Sequence, residues 1–210
     1  MQQSHAKPER GVDGFRLHQD RATPERPSAM AVGLAGVVLR PGSRADLEAV
    51  NRVVDDAVMG WDLPERVKRL SLPTYRYGAH DLEHLDLLVA VAHTGGILGV
   101  AAVEPGDAGD APAGAQPLLL HGLYVLAERQ GGGVGRRLVR AVLVGAAVVG
   151  WDGLLVKAQP SAAGFFERLG FERLPVRDPR RDYPHRYWQP VGRAASVART
   201  GNSDRPRPRL

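Results

Sequence analysis

Cysteine is absent from the 210 residues. Its absence excludes a disulfide scaffold, a thiolate nucleophile and any thiolate metal site. It also fits a reducing compartment, so a cytoplasmic location is the expectation, with no metal. Long hydrophobic runs are missing too. The most apolar segment, 138–150, is shorter than the roughly 20 residues a membrane-spanning helix takes, so no membrane partner is expected. The start, "MQQSHAKPERGVDGFRLHQDRATPERP", has no apolar core of the kind a signal peptide carries. Net charge is nearly absent from the body of the chain. The net charge is +5, and the residues from Val191 onward hold five arginines against one aspartate. A tail of that kind can bind nucleic acid electrostatically. A solvated, disordered end is the favoured reading of it.

What is there divides into three parts. Residues 1–36 lack apolar periodicity and are expected to be a disordered tail. Residues 191–210 are expected to be a disordered basic tail. Between them, 37–190 read as one domain. "VVLRPG" is a short strand, and Ser43 with Asp46 forms a capping-box pattern. Leu47, Val50, Val54 and Val58 then recur at helical spacing. "LPERVKRLS" reads as a second short helix with Pro64 near its first turn. "LDLLVAVAH" and "GILGVAAVEP" flank Thr94-Gly95-Gly96, a hairpin signal. A strand over 118–126, a helix over 136–149 and a strand in "GLLVKAQ" follow. "SAAGFFERLG" is a short helix that Gly170 can end. Two more strands are expected near 171–176 and 185–189.

The order is β-α-α-β-β-β-α-β-α-β-β. An antiparallel meander feeding a β-α-β crossover predicts an α/β fold with a single mixed, mostly antiparallel sheet. A central parallel crossover and flanking helices complete it.

The stretch "HGLYVLAERQGGGVGRRLV" places four glycines in five positions between strand and helix. A strand running through glycines into a helix aims backbone N–H groups and the positive end of the helix dipole at one place. That arrangement suits an anion such as phosphate. Arg136 and Arg137 add charge at its rim. The spacing lacks the third glycine of a dinucleotide fingerprint and the Gly-Lys-Ser/Thr of a Walker loop. It does satisfy Gln/Arg-x-x-Gly-x-Gly/Ala through Gln130-Gly131-Gly132-Gly133-Val134-Gly135. A glycine-rich turn with no ligand is the competing reading.

With this turn, and with "AAGFFERLGF" later in the chain, the sequence resembles the GCN5-related N-acetyltransferase (GNAT) family across nearly the whole inferred domain. The resemblance implies the family's acyl-CoA N-acyltransferase fold, with acetyl-CoA as acetyl donor. Gln130, Gly131, Gly132, Gly133, Val134, Gly135 and Arg136 would hold its pyrophosphate. The backbone of Leu123, Tyr124 and Val125 would pair with its pantetheine arm, between strands 118–126 and 154–158 splayed apart. Ser161, Phe165 and Phe166 would complete the cofactor side. Ser161 stands near where many members carry an asparagine, and it could equally cap the helix.

The expected reaction is direct transfer to an amine, with a small-molecule amine as acceptor. His121 is the candidate general base. Strand alternation puts it on one face with Leu119 and Leu123, opposite Leu120 and Gly122. Some members, the arylalkylamine acetyltransferases among them, are similar in placing a histidine there. Imidazole titrates near 6.5 in water, which suits proton removal around neutrality. A packed, hydrogen-bonded histidine is the competing reading. Glu104 could act through water instead. The family's usual general acid is a tyrosine at the position of Phe166, and phenylalanine has no proton to give. Tyr124, Tyr183 and Tyr187 are the remaining donor candidates. "TYRYGAHDLEHL" and "RRDYPHRYW" are expected around the acceptor pocket. Two further readings stand beside this one: an acyl-CoA-binding module with little turnover, and a nucleic-acid binder acting through the arginine tail. A homodimer stays open.

Overall fold

The structure, a computed structural model, describes residues 36–192. The two tails expected from the sequence lie almost wholly outside the described residues. Strand β1 (Val37–Pro41) ends at proline, and a capping turn starts the first helix. The Asp46 carboxylate accepts hydrogen bonds from the backbone N–H and the hydroxyl of Ser43, both at 2.8 Å. It also accepts both arms of Arg40, at 2.8 and 2.7 Å. The Arg40 guanidinium holds that carboxyl well below the usual carboxylate range.

Helix α1 (Leu47–Met59) buries Val50, Val53, Val54, Ala57 and Val58 as one stripe. Helix α2 (Glu65–Tyr75) is longer than its sequence signal. Pro64 sits at the N-cap, and the helix runs on through Pro73 in its last turn. A proline there costs one backbone bond near the helix end rather than in its middle. Strands β2 (Asp86–Ala92) and β3 (Ile97–Pro105) form the expected hairpin, with Gly95 at φ 91°. Strand β4 (Pro117–Val125) leads into α3 (Val134–Val149), which begins two residues before the expected start. Then come β5 (Gly153–Lys157), α4 (Ala163–Arg168), the two-residue β6 (Glu172–Arg173) and β7 (Arg186–Pro190). Strand β6 is shorter than the apolar pattern suggests.

The seven strands form one sheet in the order β1-β2-β3-β4-β5-β7-β6. Only β4 and β5 pair in parallel, joined through α3 as the crossover rule requires. Helices α3 and α4 cover one face, where Leu118, Leu138, Leu154, Phe166 and Tyr187 pack. Helix α1 covers the other, with Val54, Val89, Val100, Tyr77 and Tyr124. Two apolar layers of this kind position everything that follows.

Candidate active site

The site begins where two strands part. Strands β4 and β5 pair from Pro117↔Gly153 to Leu120↔Val156 and no further, although β4 continues to Val125. Beyond Leu120, β4 pairs only with β3, and its edge toward β5 is left without a strand partner. At its far end the chain turns through Gly131 (φ 74°) and Gly133 (φ 87°) into α3. Both angles lie in the left-handed region, which favours glycine. A side chain on Gly131 would meet nothing within 4 Å, so the turn is open on that side. The first bond of the helical ladder here is Arg137 N–H to Gly133 O, at 3.0 Å. The N–H groups of Val134, Gly135 and Arg136 therefore precede the ladder and point out of the helix start. Arg136 is exposed at the rim. Arg137 is not at the rim: its guanidinium donates to the Val37 carbonyl at 3.1 Å and ties α3 to β1. The Gln130 amide donates to the Val125 carbonyl at 3.1 Å, closing the turn onto the end of β4. A cavity of about 250 Å³ lies beside the turn, lined by Val37, Leu98, Arg129, Gln130 and Gly132 among others.

The other half of the site depends on a β-bulge. Ala102 pairs with Gly122 and Val103 with Leu120, so His121 is an extra residue without a partner on β3. Simple alternation fails at this point. Leu118 and Leu120 pack on the α3 face, but so do Leu123 and Val125. His121, expected with Leu119 and Leu123 and opposite Gly122, instead lies with Leu119 and Gly122 on the α1 face. There its Nδ1 is 2.8 Å from Oε1 of Glu104. An ionised Glu104 fixes the Nδ1–H tautomer and leaves Nε2 with its lone pair. The histidine side chain is 46% exposed and the glutamate 29%. The sequence readings that kept His121 and Glu104 as alternatives are thus joined in one pair.

Tyr77, which sequence reasoning did not single out, stands beside them. Its ring lies 6.2 Å from His121 and 6.4 Å, edge to face, from Tyr124. Asn51 on α1 holds it by the backbone, accepting from its N–H and donating to its carbonyl, both at 2.8 Å. Its hydroxyl sits over Gly122, where any side chain would overlap it. Burial pushes the Tyr77 phenol well above its ordinary pKa. Burial, then the neighbouring Tyr75, pushes Tyr124 up to about 12. Both therefore stay neutral near pH 7.

Comparison with known proteins bears on the fold. Residues 83–173 match the family model of the acetyltransferase (GNAT) domain. The fold is GNAT-like. No curated protein matches the chain by sequence. Among solved structures, a GNAT family acetyltransferase from Brucella melitensis in complex with acetyl-CoA is similar with TM-score 0.53 and 20% identity. That match covers 74% of this chain and 88% of the other. A GNAT family N-acetyltransferase from Escherichia coli in complex with CoA gives 0.55 at 18%, covering 78% and 86%. A member from Desulfovibrio desulfuricans gives 0.55 at 20%, covering 74% and 99%. These likenesses establish the fold.

Within this GNAT-like fold the α4 side offers no free phenol. Phe166 is 5% exposed, with its ring centroid 5.1 Å from that of Phe165 and 5.4 Å from that of Phe171. Phe165 packs over Gly135. Tyr187 is buried and donates to Glu167 at 3.3 Å. Tyr183 donates to the Ala158 carbonyl at 3.1 Å. Ser161 is exposed and caps neither of the helical turns around it. The segment 180–188 is fixed through Arg186, 4% exposed, which pairs with Asp182 at 2.7 Å and Asp110 at 3.2 Å. One grouping of metal-ligating side chains exists among the described residues. His80, Glu83 and His84 bring ligand atoms within 4.8 Å of one another on a fully exposed turn. No helix among the described residues is long and apolar enough to cross a membrane.

Proposed function

We propose that this GNAT domain transfers an acetyl group from acetyl-CoA directly to a small amine in the cytoplasm. The observation that carries this reading is the continuity of one strand. Strand β4 has an open edge toward β5, ends in a glycine turn into a helix start, and carries a histidine–carboxylate pair at its bulge. The turn fits a diphosphate, with left-handed glycines, open space and helix-start N–H groups. Residues 130–136 would hold that group, and the β4 backbone at Leu123–Val125 would pair with the pantetheine arm. The thioester supplies an activated acyl carbon. His121 would take a proton from the amine through Nε2, with Glu104 orienting the ring and supporting its positive charge. Backbone donors along the open edge would stabilise negative charge on the acyl oxygen.

The test is thiol release from acetyl-CoA across a panel of amines, with acetyl-CoA binding measured separately. His121→Ala is expected to lower kcat/KM by about 100-fold or more, with acetyl-CoA binding unchanged. Unchanged turnover from pH 6 to 9 would remove His121 from the mechanism. The placement of Phe166 supports one second reading, an acyl-CoA-binding module. Acetyl-CoA binding with no turnover on any amine would favour it. Absence of binding would sink both.

A further inference from the structure

We infer that His80, Glu83 and His84 form a binding site for a divalent transition-metal ion of the zinc type, on the turn between α2 and β2. Such a site is independent of acetyl transfer. The missing cysteines exclude thiolate ligands only, and two imidazoles with a carboxylate are a ligand set that zinc accepts. The three side chains are exposed, and their ligand atoms all lie within 4.8 Å of one another. Nδ1 of His80 is 3.3 Å from Oε2 of Glu83. Two ligands held about 2.0 Å from one tetrahedral zinc are themselves about 3.3 Å apart, so this pair already has the spacing of a zinc site. The His80 and His84 rings stand nearly perpendicular, with centroids 5.4 Å apart. The remaining gap to the third ligand, at most about 1.5 Å, is of the size that rotation about exposed side-chain bonds covers.

The backbone fixes the order of these ligands. The Glu83 N–H donates to the His80 carbonyl and the His84 N–H to the Asp81 carbonyl, both at 3.0 Å. These bonds wind residues 81–83 into a helical turn, in which positions three and four apart share a face. Asp81, the other carboxylate of the turn, is occupied: it accepts from the Gly78 N–H at 2.6 Å. Leu82 and Leu85 anchor the turn in the core beside α1. Its outward side is left to the two histidines and the glutamate. Among the described residues, Glu83 pairs with no lysine or arginine, and the nearest arginine in sequence, Arg76, is taken by Asp55 at 2.7 Å. No fixed cation therefore neutralises the carboxylate in place of a metal. Three protein ligands leave at least one coordination position to water. A bound ion would tie the two ends of the turn together, three residues past Tyr77, whose ring lies 6.2 Å from His121.

The test is calorimetric titration of the full chain with zinc chloride, with magnesium chloride as the control. Zinc should bind, and magnesium, which takes oxygen ligands, should not fill the same site. The double variant His80→Ala, His84→Ala should weaken the tightest zinc site at least about 10-fold. In proton–nitrogen correlation spectra, zinc should move the ring signals of His80 and His84 and leave those of His121 in place. The melting temperature should rise with zinc in the wild type and stay level in the double variant. Both histidines are exposed, so without zinc the two proteins should melt together. Unchanged zinc affinity in the double variant would overturn the assignment. So would ring shifts confined to His121, magnesium binding of equal strength, or no zinc binding up to about 1 mM.

Discussion

The two faces of the sheet spend their aromatic side chains differently. On the α3 and α4 face, Phe165, Phe166, Phe171 and Tyr187 pack in one cluster, and the Tyr187 hydroxyl reaches Glu167. On the α1 face, Tyr77 and Tyr124 are also buried, and they stand edge to face beside a half-exposed His121–Glu104 pair. The glycine turn and the β4 edge offer a ligand mainly backbone groups, with Arg136 at the rim. The α1 face offers side chains. In the proposed reading, the groups that would hold the cofactor and the His121–Glu104 pair that would act on the amine belong to different parts of the sheet. The apolar residue at 166 alters only the first face.

Three measurements sharpen this contrast. Leu138, fully buried under α3, belongs to the packed face. Leu138→Ala is expected to cost about 2–5 kcal/mol in chemical denaturation. A loss below about 1 kcal/mol would mean that this face is loosely packed after all. Gly122→Ala drives a methyl group into the Tyr77 hydroxyl and the Tyr124 ring. About 1–3 kcal/mol of stability should go, and turnover should fall with it. A stable, active Gly122→Ala protein would show that the α1 face has room to spare. The smallest effect is alkaline. Tyr124 titrates at about 12 when folded, against about 10 in an unfolded chain. Below pH 10 both states are neutral and the contribution is fully present. Between about 10 and 12 the unfolded chain ionises first, so stability falls. The loss should be on the order of 1 kcal/mol by pH 11. Tyr124→Phe should reduce the slope of the urea midpoint against pH, whereas an unaltered slope would remove Tyr124 as its source.

The order of elements was legible because each carries a local signal. Ser43 and Asp46 cap a helix, Gly95 turns a hairpin, and Leu138, Val142 and Ala146 repeat at helical spacing. The glycine turn was legible for the same reason. The candidate side chains on the α1 face were less so. Alternation along β4 assigns His121 and Leu123 to one face, and nothing in a run of apolar residues marks an inserted one. Tyr77 was lost within an ambiguous segment, because its meaning comes from Asn51 and Gly122, 26 and 45 positions away. Arg137 looked like rim charge because its partner, the Val37 carbonyl, is 100 residues upstream. Long-range polar contacts leave no periodic trace in a sequence.

The bulge also makes position 121 a phase marker. Ahead of it the even-numbered residues of β4 face α3, and after it the odd-numbered ones do. Replacing His121 would alter chemistry and leave that phase intact. Deleting it would restore a regular ladder and still leave both the Leu118–Leu120 half and the Leu123–Val125 half on the α3 face. The ladder on either side is therefore complete without position 121, and the bulge is the place where β4 can present one extra side chain to the α1 face without disturbing the order of its neighbours.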